Sequence, residues 1–109
     1  MAEPSLQELF GANAIQDANS LTISKSDLVA IGLTASATNS AESLLAAIIA
    51  IAQQILTTDR QDTHPEQSIV IEDGLESLTT RNDQTYRQLT KQINFDKLDN
   101  QSTFDPDDY

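Results

Sequence analysis

Residues 44–52 read Leu-Leu-Ala-Ala-Ile-Ile-Ala-Ile-Ala, the longest unbroken apolar run of the chain. Asn39 and Glu42 precede it at the spacing of a reciprocal N-terminal cap: the Asn oxygen accepts an unpaired backbone N–H, and the glutamate lies near the positive end of the helix. Two glutamines follow the run. We therefore predict a central apolar helix at about residues 40–57. Its apolar part is too short to cross a bilayer, which needs about 20 such residues.

Large apolar side chains lie on more than one side of this helix. At spacings of three and four, the seams run through the core candidates Leu44, Leu45, Ile48, Ile51 and Ile55, and Ile48 belongs to two of them. A helix that is apolar nearly all round must be covered nearly all round. Either the N-terminal segment covers it or copies of the helix pack together. The chain is therefore expected to form a homo-oligomer or to be a subunit of a larger assembly.

Composition divides the chain into three parts. Residues 1–57 are rich in small and apolar residues and predict a small helical module around the central helix. Residues 58–94 are polar and predict a loop, a short strand at Ser68–Ile71 and then a further helix. Residues 95–109 form an acidic tail with aromatic residues and no periodicity. The expected fold is mainly α with one or two short β-strands, a polar C-terminal segment (residues 58–94) and an acidic tail (residues 95–109).

The further helix is predicted over Leu75 to Ile93. The apolar residues of this stretch are sparse and follow spacings of three, eight, three and four, which is typical of a helix that uses a single narrow seam. Asn82 lies in the middle of the wide gap. There it either sets the register of an oligomer or is simply solvated.

The charge of the chain is strongly negative, with 17 acidic and 6 basic residues and a net charge of −11. Such a surface repels nucleic-acid phosphates and anionic lipid head groups, so we expect neither nucleic acid nor a membrane among its partners. The acidic surface either keeps the protein soluble or binds a basic protein. The N-terminus lacks the basic start and apolar run of a secretory signal, which predicts that the protein is cytoplasmic when made.

Residues with catalytic or metal-binding chemistry are scarce. The chain has no cysteine and one histidine, His64, in a polar loop, so it offers neither a typical zinc site nor a nucleophile–base pair. Its three glycines lie far apart and form no phosphate-binding loop. We therefore expect no catalytic site, no metal site and no cofactor, and we expect that the protein is not an enzyme.

The acidic tail carries the candidate partner-binding residues: Phe104, Asp105, Asp107, Asp108 and Tyr109. Aromatic side chains act as anchors in protein interfaces, and carboxylates around them pair with a basic rim on the partner. The tail is therefore either a docking segment or a frayed chain end with incidental aromatic residues.

Residues 21–28 (Leu-Thr-Ile-Ser-Lys-Ser-Asp-Leu), 32–34 (Gly-Leu-Thr) and 39–45 (Asn-Ser-Ala-Glu-Ser-Leu-Leu) carry a resemblance. Over about residues 9–56 the chain resembles short accessory proteins of bacteriophage or phage-like tail gene clusters. The resemblance implies a structural or assembly component that acts through protein–protein contacts, in a virion or phage-like particle, such as a fibre-attachment or connector protein. It carries over no catalytic residue. The alternative is a small acidic cytoplasmic adaptor or inhibitor that binds a basic protein.

Overall fold

The computed structural model describes residues 3–97 and 103–109, and within these residues the fold is mixed α/β. The helices are α1 (Leu6–Phe10), α2 (Ala41–Ile55) and α3 (Thr58–Thr63), with 3₁₀ turns at Lys25–Ile31 and Pro106–Asp108. The strands are β1 (Ile15–Gln16), β2 (Leu21–Thr22), β3 (Ile69–Asp73), β4 (Ser77–Arg81), β5 (Gln84–Gln88) and β6 (Lys91–Phe95). They form three antiparallel pairs, β1–β2, β3–β6 and β4–β5. The prediction of a mainly α protein is therefore wrong.

The central helix α2 lies within the predicted range, but its N-cap is Ser40 and not the predicted Asn39. The Ser40 hydroxyl accepts a hydrogen bond from the backbone N–H of Ser43 at 3.1 Å. Asn39 does not cap the helix, because its side chain is hydrogen-bonded to the backbone of the preceding loop.

The core lies along α2 in two clusters. The first contains Leu28, Leu33, Ala47 and Ile51, with Leu44 and Ile48 packed against it half-buried. The second contains Ala52, Leu56 and Ile71. Ile55 is half-buried, and Leu45 is exposed. The chain therefore covers α2 mainly along one side, and Ile51 lies closer to the centre of packing than Ile48.

The N-terminal module is held together by a close approach between two turns. Ser5 and Glu8 form a reciprocal cap that starts α1. Gly11 ends it at a φ of +109°, and a Cβ placed there would come within 2.5 Å of the Cβ of Asp27. The Asp27 carboxylate accepts from the backbone and side-chain amides of Asn13 at 2.9 and 3.0 Å. Glycine is therefore required at this position for both conformation and space.

The helix predicted over Leu75 to Ile93 is absent; this stretch forms strands β4, β5 and β6. Asn82 and Asp83, with φ values of 50° and 61°, form the two-residue turn between β4 and β5. Asn and Asp tolerate positive φ better than other non-glycine residues, and such turns match the twist of a hairpin. Asn82 is therefore a turn residue. The threonines on both sides favour strands because they are β-branched.

A one-residue bulge joins the two halves of this long ribbon. Asp73 lies opposite Lys91, and Ser77 lies opposite Gln88. Three residues separate these pairs on one strand and two residues separate them on the other. The extra residue on the strand that runs from Asp73 to Ser77 forms a β-bulge. Next to it, the Gly74 N–H donates a hydrogen bond to the Thr90 carbonyl at 2.6 Å. We call residues 74–90, which lie beyond the β3–β6 pair, the arm.

The most buried polar side chain of the described residues is Gln67, which is 2% exposed. Its Nε2 donates to the carbonyls of Thr57 and Ile69 at 3.0 and 3.1 Å, and its Oε1 accepts from the Arg60 guanidinium at 2.8 Å. The Gln61 side chain donates to the Gln67 carbonyl at 3.0 Å. One amide thus joins the end of α2, the helix α3 and the start of β3.

We expect Gln67→Leu to lower the free energy of unfolding by about 2–4 kcal/mol, because similar volume is kept while two partly buried carbonyls and a guanidinium lose their partner. Urea unfolding followed by circular dichroism measures the change. Gln54→Leu, at an exposed position of α2, is the matched control and should change stability by less than about 0.5 kcal/mol. Equal unfolding midpoints for the two variants would contradict this role of Gln67.

Candidate functional site

The tail aromatics that the sequence singles out are brought together against the end of β6. The Phe95 ring lies 5.1 Å from the Phe104 ring and 5.4 Å from the Tyr109 ring, centroid to centroid, both edge-on. The Phe104 and Tyr109 rings stack at 5.7 Å. Phe104 remains 58% exposed, whereas Tyr109 is half-buried. We call these three residues the aromatic cluster; Phe104 is its most exposed member.

The acidic residues of the tail form a tight turn. Asp105 is extended, as expected for the residue before a proline, and its carboxylate accepts from the Asp107 N–H at 3.0 Å. Pro106 starts the 3₁₀ turn that follows. Asp107 is exposed, while the side chain of Asp108 lies outside the described part of the chain. The carboxylate of Asp105 thus already caps this turn, and Asp107 is free of that role.

The tail also lies over the second core cluster. A cavity of about 320 Å³ opens beside it, lined by Pro106 and Tyr109 of the tail and by Leu9, Leu56 and Ile69 among other residues. Tyr109 therefore belongs to the aromatic cluster and also lines this cavity. The described part of the tail is folded against the body, so a partner that binds it meets a partly preformed surface.

The arm is the most exposed structured part of the described chain, and the sequence prediction missed it. Leu75 is 89% exposed, and Leu78 and Leu89 are each 65% exposed. Among the described residues, β4 and β5 pack extensively only against each other. The signal that would have revealed the arm is the Asn-Asp pair between threonine-rich segments.

Few side-chain interactions stabilise the arm internally. The Arg81 guanidinium lies 4.3 Å from the centroid of the Tyr86 ring. Arg87 pairs with Glu76 at 3.1 Å, and both side chains are more than half exposed. Exposed ion pairs and cation–π contacts each contribute about 1 kcal/mol or less. The arm is therefore held mainly by its own backbone ladder and turn.

An ion pair closes the root of the arm. Lys91 donates to the Asp73 carboxylate at 2.7 Å, and the Gln53 side chain of α2 donates to the same oxygen at 3.2 Å. The hydrogen bond from Lys91, followed by that from Gln53, holds the pKa of the Asp73 carboxyl below its usual value. Asp73 thus joins the root of the arm to the central helix.

His64 ends α3, and its ring Nδ1 lies 2.9 Å from the Thr63 hydroxyl and 3.1 Å from the Arg60 carbonyl. Within residues 3–97 and 103–109, no group of three or more His, Asp or Glu side chains is arranged to hold a metal ion. In the same residues no helix is long and apolar enough to cross a membrane. The candidate binding surfaces are the arm and the aromatic cluster, because both carry exposed apolar side chains.

Comparison with known proteins gives no match: no family model fits the chain, and no curated protein or solved structure is significantly similar to it. The resemblance of residues 9–56 to phage tail accessory proteins stays a prediction.

We expect Lys91→Met to raise the pKa of Asp73 toward its ordinary value, because the variant removes the strongest hydrogen bond to the ionised carboxylate. A lowered pKa means that the contact stabilises the fold above the unfolded pKa and is lost as the pH falls through the folded pKa. Titration of the Asp73 carboxyl carbon by NMR measures the shift. Arg87→Met, which removes the other exposed ion pair of the ribbon, is the control and should leave Asp73 unchanged.

Proposed function

We propose that this chain is a structural or assembly component that acts through contacts with other protein chains, as a fibre-attachment or connector protein of a phage virion or phage-like tail. The single observation that carries the proposal is the exposed arm. Its leucines and strand edges lie uncovered by the described residues. The assignment to a virion or tail is supported by the sequence resemblance alone.

The arm is suited to binding because the outer edges of a two-stranded ribbon have no partner strand. Each of its strands has one edge whose backbone N–H and C=O groups face away from the ribbon, and such edges readily pair with a further strand. A two-stranded ribbon without cover is only marginally stable in water. A partner strand would satisfy the edge and cover the leucines, so the arm gains stability when it is bound.

The aromatic cluster supplies a second attachment surface. Strand β6 runs from Lys91 at the root of the arm to Phe95 in the cluster. At about 3.3 Å per residue, these two positions lie roughly 13 Å apart. Exposed aromatic side chains commonly dominate the energy of an interface. The two candidate binding surfaces therefore lie near opposite ends of one short strand, as a connector between two chains requires.

A small acidic adaptor or inhibitor of a basic protein is the second candidate, supported by the net charge of −11. The two functions use different parts of the molecule. Within residues 74–90 two acidic residues are balanced by two basic residues, so the arm contributes nothing to the net charge. Binding to a basic protein would depend on the acidic body and on salt, and would not need the arm.

The test is affinity capture from lysate of the source cells with tagged chains. In the first variant, Asn-Gly replaces residues 73–91, which are the arm and the Asp73–Lys91 pair at its root, so that Glu72 and Gln92 close a two-residue turn. The second variant is Phe104→Ala. We expect the first variant to lose partner proteins that the full chain retains at high salt, and the second to reduce their recovery. Partners captured equally by all three chains, and released by salt, would favour the adaptor function.

A further inference from the structure

The two edges of the arm differ in the space around them. On the β3 side of the ribbon the Ile71 N–H donates to the Leu56 carbonyl at 2.9 Å, so the end of α2 covers that side at the root. On the other side, β6 pairs only with β3 among the described residues. Strand β5 continues into β6 on this side, and the described tail packs against β6 at Phe95, the end of the strand far from the arm. The outer edge of β5 is therefore the edge that a further strand can approach without meeting the body.

The register identifies the backbone groups that this edge presents. Arg81 and Gln84 flank the two-residue turn, so they are a hydrogen-bonded pair. Hydrogen-bonded positions alternate along an antiparallel ladder. The N–H and C=O groups of Thr85 and Arg87 therefore point outward, while those of Tyr86 face β4. On the opposite edge, the backbone N–H and C=O groups of Leu78 and Thr80 point outward in the same way.

The distribution of charge restricts the orientation in which two copies of the chain can associate. The arm is neutral, with Glu76 and Asp83 balanced by Arg81 and Arg87, so the whole net charge of −11 belongs to the remainder of the chain. Two such bodies repel each other. Two arms side by side and antiparallel place the bodies at opposite ends of the joint ribbon, where this repulsion is smallest.

We propose that the outer edge of β5 binds β5 of a second copy of this chain, so that two arms form one four-stranded antiparallel sheet. This inference rests on the proposed assembly function and names its partner at the arm. A two-fold axis at Tyr86 places Thr85 opposite Arg87 of the second copy and leaves no like charges directly opposite. It also places the two Tyr86 residues opposite each other at a non-hydrogen-bonded position, where cross-strand aromatic pairs are stabilising. The contact is small, so the dimer is weak and forms more readily at high salt.

The test is the molar mass of the isolated full-length chain, by light scattering at high micromolar concentration and raised salt. We expect twice the monomer mass of 11.9 kDa. Thr85→Pro removes an outward N–H of β5, and Thr80→Pro removes the equivalent N–H at the other edge of the same cross-strand pair. We expect Thr85→Pro to be a monomer and Thr80→Pro to remain a dimer. A monomeric wild-type chain, or the same mass for both variants, would overturn the proposal.

Amide exchange by NMR gives a second readout that does not depend on the folding of a variant. In the wild-type chain at high concentration, the N–H groups of Thr85 and Arg87 should exchange at least about tenfold more slowly than those of Leu78 and Thr80. Equal exchange at the two edges would reject pairing through β5. If the two edges exchange equally but replacement of the arm still abolishes the capture of partner proteins, the assembly function stands and the arm binds a different protein. Retained capture after arm replacement would instead reject the arm's role in assembly.

Discussion

The buried amide of Gln67 is the interaction on which the rest of the structure depends. The chain has no disulfide, and its core consists of two small clusters along one helix. A core of this size leaves little margin of stability. Gln67 fixes the chain where α2, α3 and β3 meet, by satisfying backbone carbonyls on both sides of the junction. Because β3 is fixed there, it can pack Ile71 against α2 and can support β6 as its partner strand.

The ribbon that starts at β3 divides the molecule into a body and an arm of different character. The body contains the buried apolar residues and all of the excess negative charge, while the arm is neutral and exposed. The boundary lies at Asp73, which is bound by Lys91 across the ribbon and by Gln53 from α2. The buried contacts are therefore concentrated on one side of this residue, and the exposed leucines of the arm lie on the other.

Local signals in the sequence predict part of this arrangement. The apolar run and the polar residues before it place α2, and the β-branched Ile69-Val70-Ile71 places β3, because both signals depend on neighbouring residues only. The strands of the arm are not predicted, because a few leucines at roughly helical spacing obscure the turn signal of Asn82 and Asp83. The role of Gln67 could not be read from the sequence, since its partners are brought together only by the fold. The tail aromatics were identified, but not their contact with Phe95.

The bulge at the root of the arm has a mechanical consequence. A pull on the turn at Asn82 loads the ladder as a zipper, in which one cross-strand pair bears the force at a time. A pull on a strand bound along an edge loads many backbone hydrogen bonds together in shear. The bulge interrupts the ladder next to the Asp73–Lys91 pair. Behind it, β3 is also hydrogen-bonded to Gln53 and to the Leu56 carbonyl, so an opening that begins at the tip meets more interactions per residue once it reaches the body. The ribbon can therefore yield under tension at its outer end while the fold behind it stays intact.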